Sequence, residues 1–241
     1  MIEKGIDMKA LGFDLDDTIY NRLTIYEQTF DLMQVEGREA GYAVDVDFAT
    51  FNHIYAQFSE SEYQAFMAGK KTEAAFKNDR VILTYAHFGK EIDEDLAKKF
   101  NQAKNDFQHK LTLSDELVAL MEAAMVSGQH LFVLTNGSTK AQIDKLSSLG
   151  MEKYIPQERW YISEAMGVSK PHKAAFDQIA RDLQVDPHDI LFVGDDYAND
   201  VEGAINAGWQ AIHFAKEEHE NMVATCTTDD FLEIRTLITG L

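Results

Sequence analysis

The chain has 241 residues, 45% of them apolar and 26% charged, and its 41 acidic against 22 basic side chains give a formal charge of −19. That is the composition of a globular protein with one large domain or two modest ones. A surface of this sign repels phosphate backbones, which excludes nucleic acid as an expected partner and raises the question of how such a protein would hold an anionic substrate.

No window reaches the roughly 18 uninterrupted apolar residues of a membrane span, and residues 1–7 lack the basic-then-apolar pattern of a secretion signal, so no membrane association is expected. Met8 offers a second start, which would leave residues 1–7 as a disordered lead-in. The single cysteine, Cys226, cannot form an internal disulfide, so a cytoplasmic location is expected. The eight histidines are scattered without ligand spacing.

In chain order, residues 9–14 form an apolar run of strand length. The following stretch contains no proline before Pro156, and residues 21–110 read as a separate unit of four amphipathic helices. The spacing of Thr24 and Glu27 is that of a capping box, with Tyr26, Phe30 and Met33 behind it. Phe48, Phe51, Tyr55 and Phe58 mark a second stripe, Val81, Tyr85 and Phe88 a third, and Leu96, Phe100, Phe107 and Leu111 a fourth. This segment holds 14 of the chain's 26 aromatic residues, enough to fill a small bundle core.

Beyond it, a helix capped by Ser114 and carrying Leu117, Leu120, Met121 and Ala124 leads to strand-length runs at 130–135, 160–163, 190–193 and 210–214. A helical pattern of Phe176, Ile179, Ala180 and Leu183 lies among them. Near-continuous apolar strands separated by helices predict an α/β core, a doubly wound, Rossmann-like parallel sheet. Working groups in such sheets gather beyond the carboxyl ends of the strands.

Those ends carry Asp14, Asp16, Asp17 and Thr18 after the first strand, Thr135 and Asn136 at the second, and Gly194, Asp195, Asp196 and Asp200 at the fourth; Ser169-Lys170-Pro171 follows the third. Each alone is ordinary turn chemistry. Together, clustered carboxylates repel one another by about 4 kcal/mol per pair at 4 Å and an effective dielectric of 20, so a cation is required. An all-oxygen ligand set suits magnesium. Lys170 adds positive charge, and Thr135 with the backbone N–H groups beside Asn136 can bind phosphoryl oxygens.

These residues resemble the motifs of the haloacid dehalogenase (HAD) superfamily: Asp14, Asp16 and Thr18 match DxDxT, Thr135 the second motif, Lys170 the third, and Gly194, Asp195 and Asp200 the fourth, GDxxxxD. The resemblance runs from about residue 9 to residue 214. It implies a core of residues 1–20 and 111–241 with an inserted all-helical cap at 21–110, most similar to the branch of phosphoglycolate phosphatases, sialic acid 9-phosphate phosphatases and pyrimidine 5′-nucleotidases.

What the resemblance implies chemically is a Mg2+-dependent phosphatase for a small phosphorylated metabolite, in the form of a monomer or homodimer. Asp14 would be the nucleophile, and Asp16 the acid and base, its pKa raised by the adjacent carboxylate and partial burial. Asp14, the Asp16 carbonyl and Asp195 would hold the metal, with Asp200 and Asp196 behind them. A phosphomutase of the β-phosphoglucomutase type is the alternative, although such enzymes usually carry Gly-Val where this chain has Asp17-Thr18. A haloacid dehalogenase is less expected, because its pattern lacks the residue that Asp16 matches. Candidate specificity contacts are Tyr20, Asn21, Lys77 and Arg80. Residues 21–110 carry 15 acids and 11 bases, the remaining 151 residues 26 and 11, so most of the net charge lies in the expected core.

Overall fold

The apolar runs become a single parallel sheet in a computed structural model that describes residues 8–220 and 223–240. The expected lead-in at residues 1–7 lies outside the described residues. The strands are β1 (Ala10–Phe13), β2 (His130–Thr135), β3 (Trp160–Ile162), β4 (Ile190–Gly194), β5 (Gln210–His213) and β6 (Cys226–Thr227), in the order β3-β2-β1-β4-β5-β6. The strand order reverses between β1 and β4, so their carboxyl ends meet at the topological switch point where ligands bind in open α/β sheets. Asp14, one residue past β1, donates its N–H to the Val193 carbonyl of β4 at 2.9 Å, which brings the two ends into register. The two-residue edge strand β6 was not anticipated; Cys-Thr is too short to carry a hydrophobic period.

The helices of this unit are α5 (Asp115–Val126), α6 (Thr139–Ser148), α7 (Ser163–Met166), α8 (Lys173–Leu183), α9 (Gly203–Asn206) and α10 (Phe231–Thr239), counted after the four helices described below. Ser114 caps α5 as expected, accepting from the Leu117 N–H at 3.2 Å. A π-helical segment, Tyr197–Glu202, runs from the end of β4 into α9. One face of the sheet is filled by Phe132, Phe176, Phe192 and Trp209, with the Phe176 and Trp209 rings 5.0 Å apart and nearly perpendicular.

The chain divides into two compact units, one made of the chain up to Asn21 and from Leu111 onward, the other of Arg22–Lys110. The second unit consists of α1 (Arg22–Ala40), α2 (Phe48–Met67), α3 (Glu73–His87) and α4 (Glu94–Gln108). Its core is built from the expected stripes, with Phe30, Met33, Phe51, Tyr55, Val81, Tyr85 and Phe100 buried together. Asp47, Thr72 and Asp93 cap α2, α3 and α4 with their side chains. The capping box at Thr24 is corrected: α1 already begins at Arg22, so Thr24 lies within its first turn. Among the described residues, no helix is long and apolar enough to cross a membrane.

Candidate active site

Three strand ends, those of β1, β2 and β4, and the loop before α8 bring most of the residues singled out above to one place. Lys170 stands at its centre, 4% exposed, with its Nζ 2.5 Å from Asp14 Oδ1 and 2.6 Å from Asp200 Oδ1. Burial pushes the Lys170 ammonium toward losing its proton, and the two carboxylates outweigh that effect, so its pKa is raised and the charge is kept. Asp14 is pushed up to about 6 by burial and by the charges of Asp200 and Asp16, against the pull of Lys170.

Asp200 reaches this position by passing close to the backbone of β4. Its second oxygen accepts the Asp196 N–H at 3.0 Å, and a Cβ at Gly194 would fall on its carboxyl group. The glycine of the Gly-Asp pair therefore makes room for the aspartate six residues later. Thr18 and Asp195 tie the β1 and β4 loops together: the Thr18 hydroxyl donates to Asp195 Oδ1 at 3.2 Å and accepts from the Asp195 N–H at 3.1 Å. Asp17, immediately before Thr18 in sequence, takes φ +67°, a left-handed conformation that glycine adopts freely and Asp tolerates.

Asp14, Asp195 and Asp200 each offer a carboxylate oxygen within 4.8 Å of the other two. Asp195 is also pushed up to about 6, by burial and by the charges of Asp14 and Asp17. Two carboxyls that resist ionisation beside a single ammonium mark a deficit of positive charge. The donor set is entirely hard oxygen, so the residues fit a divalent cation such as magnesium.

The environment of Asp16 differs from the expectation. Its two oxygens lie 2.7 Å each from Lys145 Nζ, Gln142 Nε2 donates to Oδ2 at 3.1 Å, and the Tyr20 hydroxyl donates to Oδ1 in a short hydrogen bond. Burial raises its pKa, but the charge of Lys145 and the hydrogen bonds from Lys145, Tyr20 and Gln142 outweigh it and hold the carboxyl below the usual range. The expectation of a raised Asp16 pKa is thus reversed. It counted the neighbouring carboxylate and omitted a lysine 129 residues away.

Thr135 is buried at the end of β2, its Oγ1 accepting from Gln142 Nε2 at 2.9 Å. The Asn136 side chain is turned to the protein: Nδ2 donates to the Lys170 carbonyl and Oδ1 accepts the Lys170 N–H, both at 3.0 Å. Asp196 caps the π-helical segment, accepting from the Asn199 backbone at 2.9 Å and its side chain at 2.8 Å. Asn21 is exposed. In the helical unit, Lys77 is half-buried, its side chain 44% exposed and paired with Glu73 one turn away at 2.6 Å. Arg80 is buried, its guanidinium 5.1 Å from the Tyr55 ring centre and 4.9 Å from that of Phe76.

Residues 8–208 match the haloacid dehalogenase-like hydrolase family. The chain belongs to that family. Within it, the chain is 26% identical over 217 residues to a glyceraldehyde 3-phosphate phosphatase of Methanopyrus kandleri, covering 89% of this chain and 87% of that one. It is 24% identical over 216 residues to the pyrimidine 5′-nucleotidase PynA of Streptococcus pneumoniae, covering 88% and 86%. The HAD-hydrolase YfnB of Bacillus subtilis, solved bound to magnesium, superposes with a TM-score of 0.69 at 21% identity over 96% of this chain and 98% of that one, a likeness of fold.

Proposed function

We propose that the protein is a magnesium-dependent phosphatase that hydrolyses a small phosphorylated metabolite through an aspartyl-phosphate on Asp14. The observation that carries this reading is the Asp14–Lys170–Asp200 triad with Asp195 beside it and Asp16 on the same loop as Asp14. The relatives named as phosphatases and nucleotidases over nearly their full lengths support hydrolysis rather than phosphoryl migration.

In this reading, an Asp14 oxygen attacks phosphorus in line and the bond to the leaving oxygen breaks, with Asp16 giving that oxygen a proton. Water then attacks the phosphorus of the aspartyl-phosphate, Asp16 takes its proton, and inorganic phosphate leaves with Asp14 restored. Lys170 aims Asp14 and offsets its charge, while the Thr135 hydroxyl donates to a phosphoryl oxygen. Asp16 rests ionised between Lys145, Gln142 and Tyr20, ready for the second half of the cycle. The approaching phosphate ester adds negative charge that favours its protonation for the first half.

Magnesium, held by Asp14, Asp195 and the Asp16 carbonyl and backed by Asp200, would supply neutralising charge to the phosphoryl oxygens. Asp16 also argues against dehalogenation, since a halide departs without a proton. The helical unit interrupts the chain directly after the loop bearing Asp14 and Asp16, and on that connectivity we assign it substrate selection. The test is phosphate release, with and without magnesium, from sugar phosphates, phosphoglycolate, glyceraldehyde 3-phosphate and nucleoside monophosphates.

A further inference from the structure

We infer that Lys145 and Gln142 are positioning residues of this reaction, which hold the Asp16 carboxylate in register with the phosphoryl-binding loop at Thr135 and Asn136. The inference rests on the phosphatase reading above and concerns two residues to which neither the motifs nor the relatives' names assign a role. Both lie on α6, one turn apart, so they present to the same side.

Gln142 is buried, and its Nε2 reaches three acceptors on two loops: Asp16 Oδ2 at 3.1 Å, Thr135 Oγ1 at 2.9 Å and the Asn136 carbonyl at 2.9 Å. The close fit of this side chain is visible at Gly137, where a Cβ would stand 2.8 Å from Gln142 Nε2. Lys145 closes the arrangement by meeting both oxygens of Asp16 at 2.7 Å with a side chain only 16% exposed.

The physical need for this arrangement is local. Asp14 and Asp16 are two residues apart at the tip of β1, and their like charges push apart. A short carboxylate side chain with nothing opposite it would turn toward water. Acid and base catalysis need the carboxyl group within hydrogen-bond reach of both the leaving oxygen and the attacking water. A cation that binds both oxygens fixes the plane of the group, and it can release one of them when a substrate oxygen arrives.

The consequence is specific to the proton-dependent step. The parameter kcat/KM reports the steps up to departure of the leaving group, and p-nitrophenolate departs without a proton while benzyl alkoxide needs one. Lys145→Met is therefore expected to lower kcat/KM for benzyl phosphate about tenfold or more beyond its effect on p-nitrophenyl phosphate. Lys145→Arg, whose guanidinium also meets two carboxylate oxygens, should restore most of the loss.

The experiment measures both esters with magnesium for wild type, Lys145→Met and Lys145→Arg, alongside thermal melts. Lys145→Gln is read in the same way if the Met variant does not fold. An ester-selective loss rescued by Arg supports the inference. Equal losses on both esters, a rise in KM alone, or no loss would overturn it while leaving the phosphatase reading in place. A wild type inactive on both esters and on the metabolite panel would overturn the two together.

Discussion

Asn136 holds Lys170 by its backbone at both ends, donating to its carbonyl and accepting its N–H at 3.0 Å each. The residue at the tip of β2 thereby sets the loop that delivers the central ammonium to Asp14 and Asp200. Asn136→Ala removes both bonds, each worth about 1 kcal/mol, and frees that loop. The expected outcome is a fall in kcat of about tenfold or more with a modest drop in melting temperature, because misplacement by an ångström can cost a hundredfold. Steady-state kinetics on p-nitrophenyl phosphate with a parallel melt would check it, and an unchanged kcat would refute it.

Gly194 is the second positional test. A methyl group there would collide with the Asp200 carboxyl, so Gly194→Ala must displace either that side chain or the end of β4. Overpacking of this kind costs about 1–3 kcal/mol. Urea unfolding should show the loss, and activity should fall with it because Asp200 faces Lys170. A variant with wild-type stability and turnover would mean that the close approach is unimportant.

How much of this was legible in the sequence follows from what each residue does. The strands are continuous apolar runs ending in Asp, Thr or Gly-Asp, and such ends in a parallel sheet converge whatever the detail of packing. The four helical stripes of residues 22–108 are equally plain, since Phe51, Tyr55, Tyr85 and Phe100 recur at helical spacing and meet in one core. Lys145 and Gln142 carried no such signal. On a helix of mixed polarity they read as solvated positions, and only the fold brings them to Asp16, 129 and 126 residues earlier. The direction of the Asp16 pKa was lost with them. Asn136 was legible as a candidate site residue, but not its bonds to the Lys170 backbone, which depend on the register of two loops 34 residues apart.

The raised Asp14 and Asp195 carboxyls make the metal-free protein sensitive to pH. Both take up protons near pH 6 when folded, against 3.8 for an ordinary Asp. Between these values the folded state binds more protons than the unfolded chain, so stability without metal should rise as pH falls from 7 toward 5. A cation competes for the ionised forms, so magnesium should raise the melting temperature more at pH 7.5 than at pH 5. Melts with magnesium and with EDTA at the two pH values would check this, and a magnesium effect independent of pH would contradict it.

In the helical unit, Lys77 and Arg80 are predicted to behave differently. The Lys77–Glu73 pair is half-exposed and one turn long, so Lys77→Ala should change stability by less than about 0.5 kcal/mol. Arg80 is buried against Tyr55 and Phe76, and its loss removes a desolvated cation–π contact of about 2 kcal/mol together with packing. Guanidinium-chloride unfolding of Arg80→Ala should show a clear loss. Equal midpoints for the two variants would show that the guanidinium contributes nothing to the bundle.

The central claim is that Asp14 is the nucleophile of a magnesium-dependent phosphatase. Its most direct test is inorganic phosphate release from the metabolite panel and p-nitrophenyl phosphate by wild type and Asp14→Asn, each with magnesium and with EDTA. The prediction is release by wild type with magnesium only, and none by a folded Asp14→Asn variant. Wild-type inactivity on every ester, or turnover by Asp14→Asn near that of wild type, would contradict it.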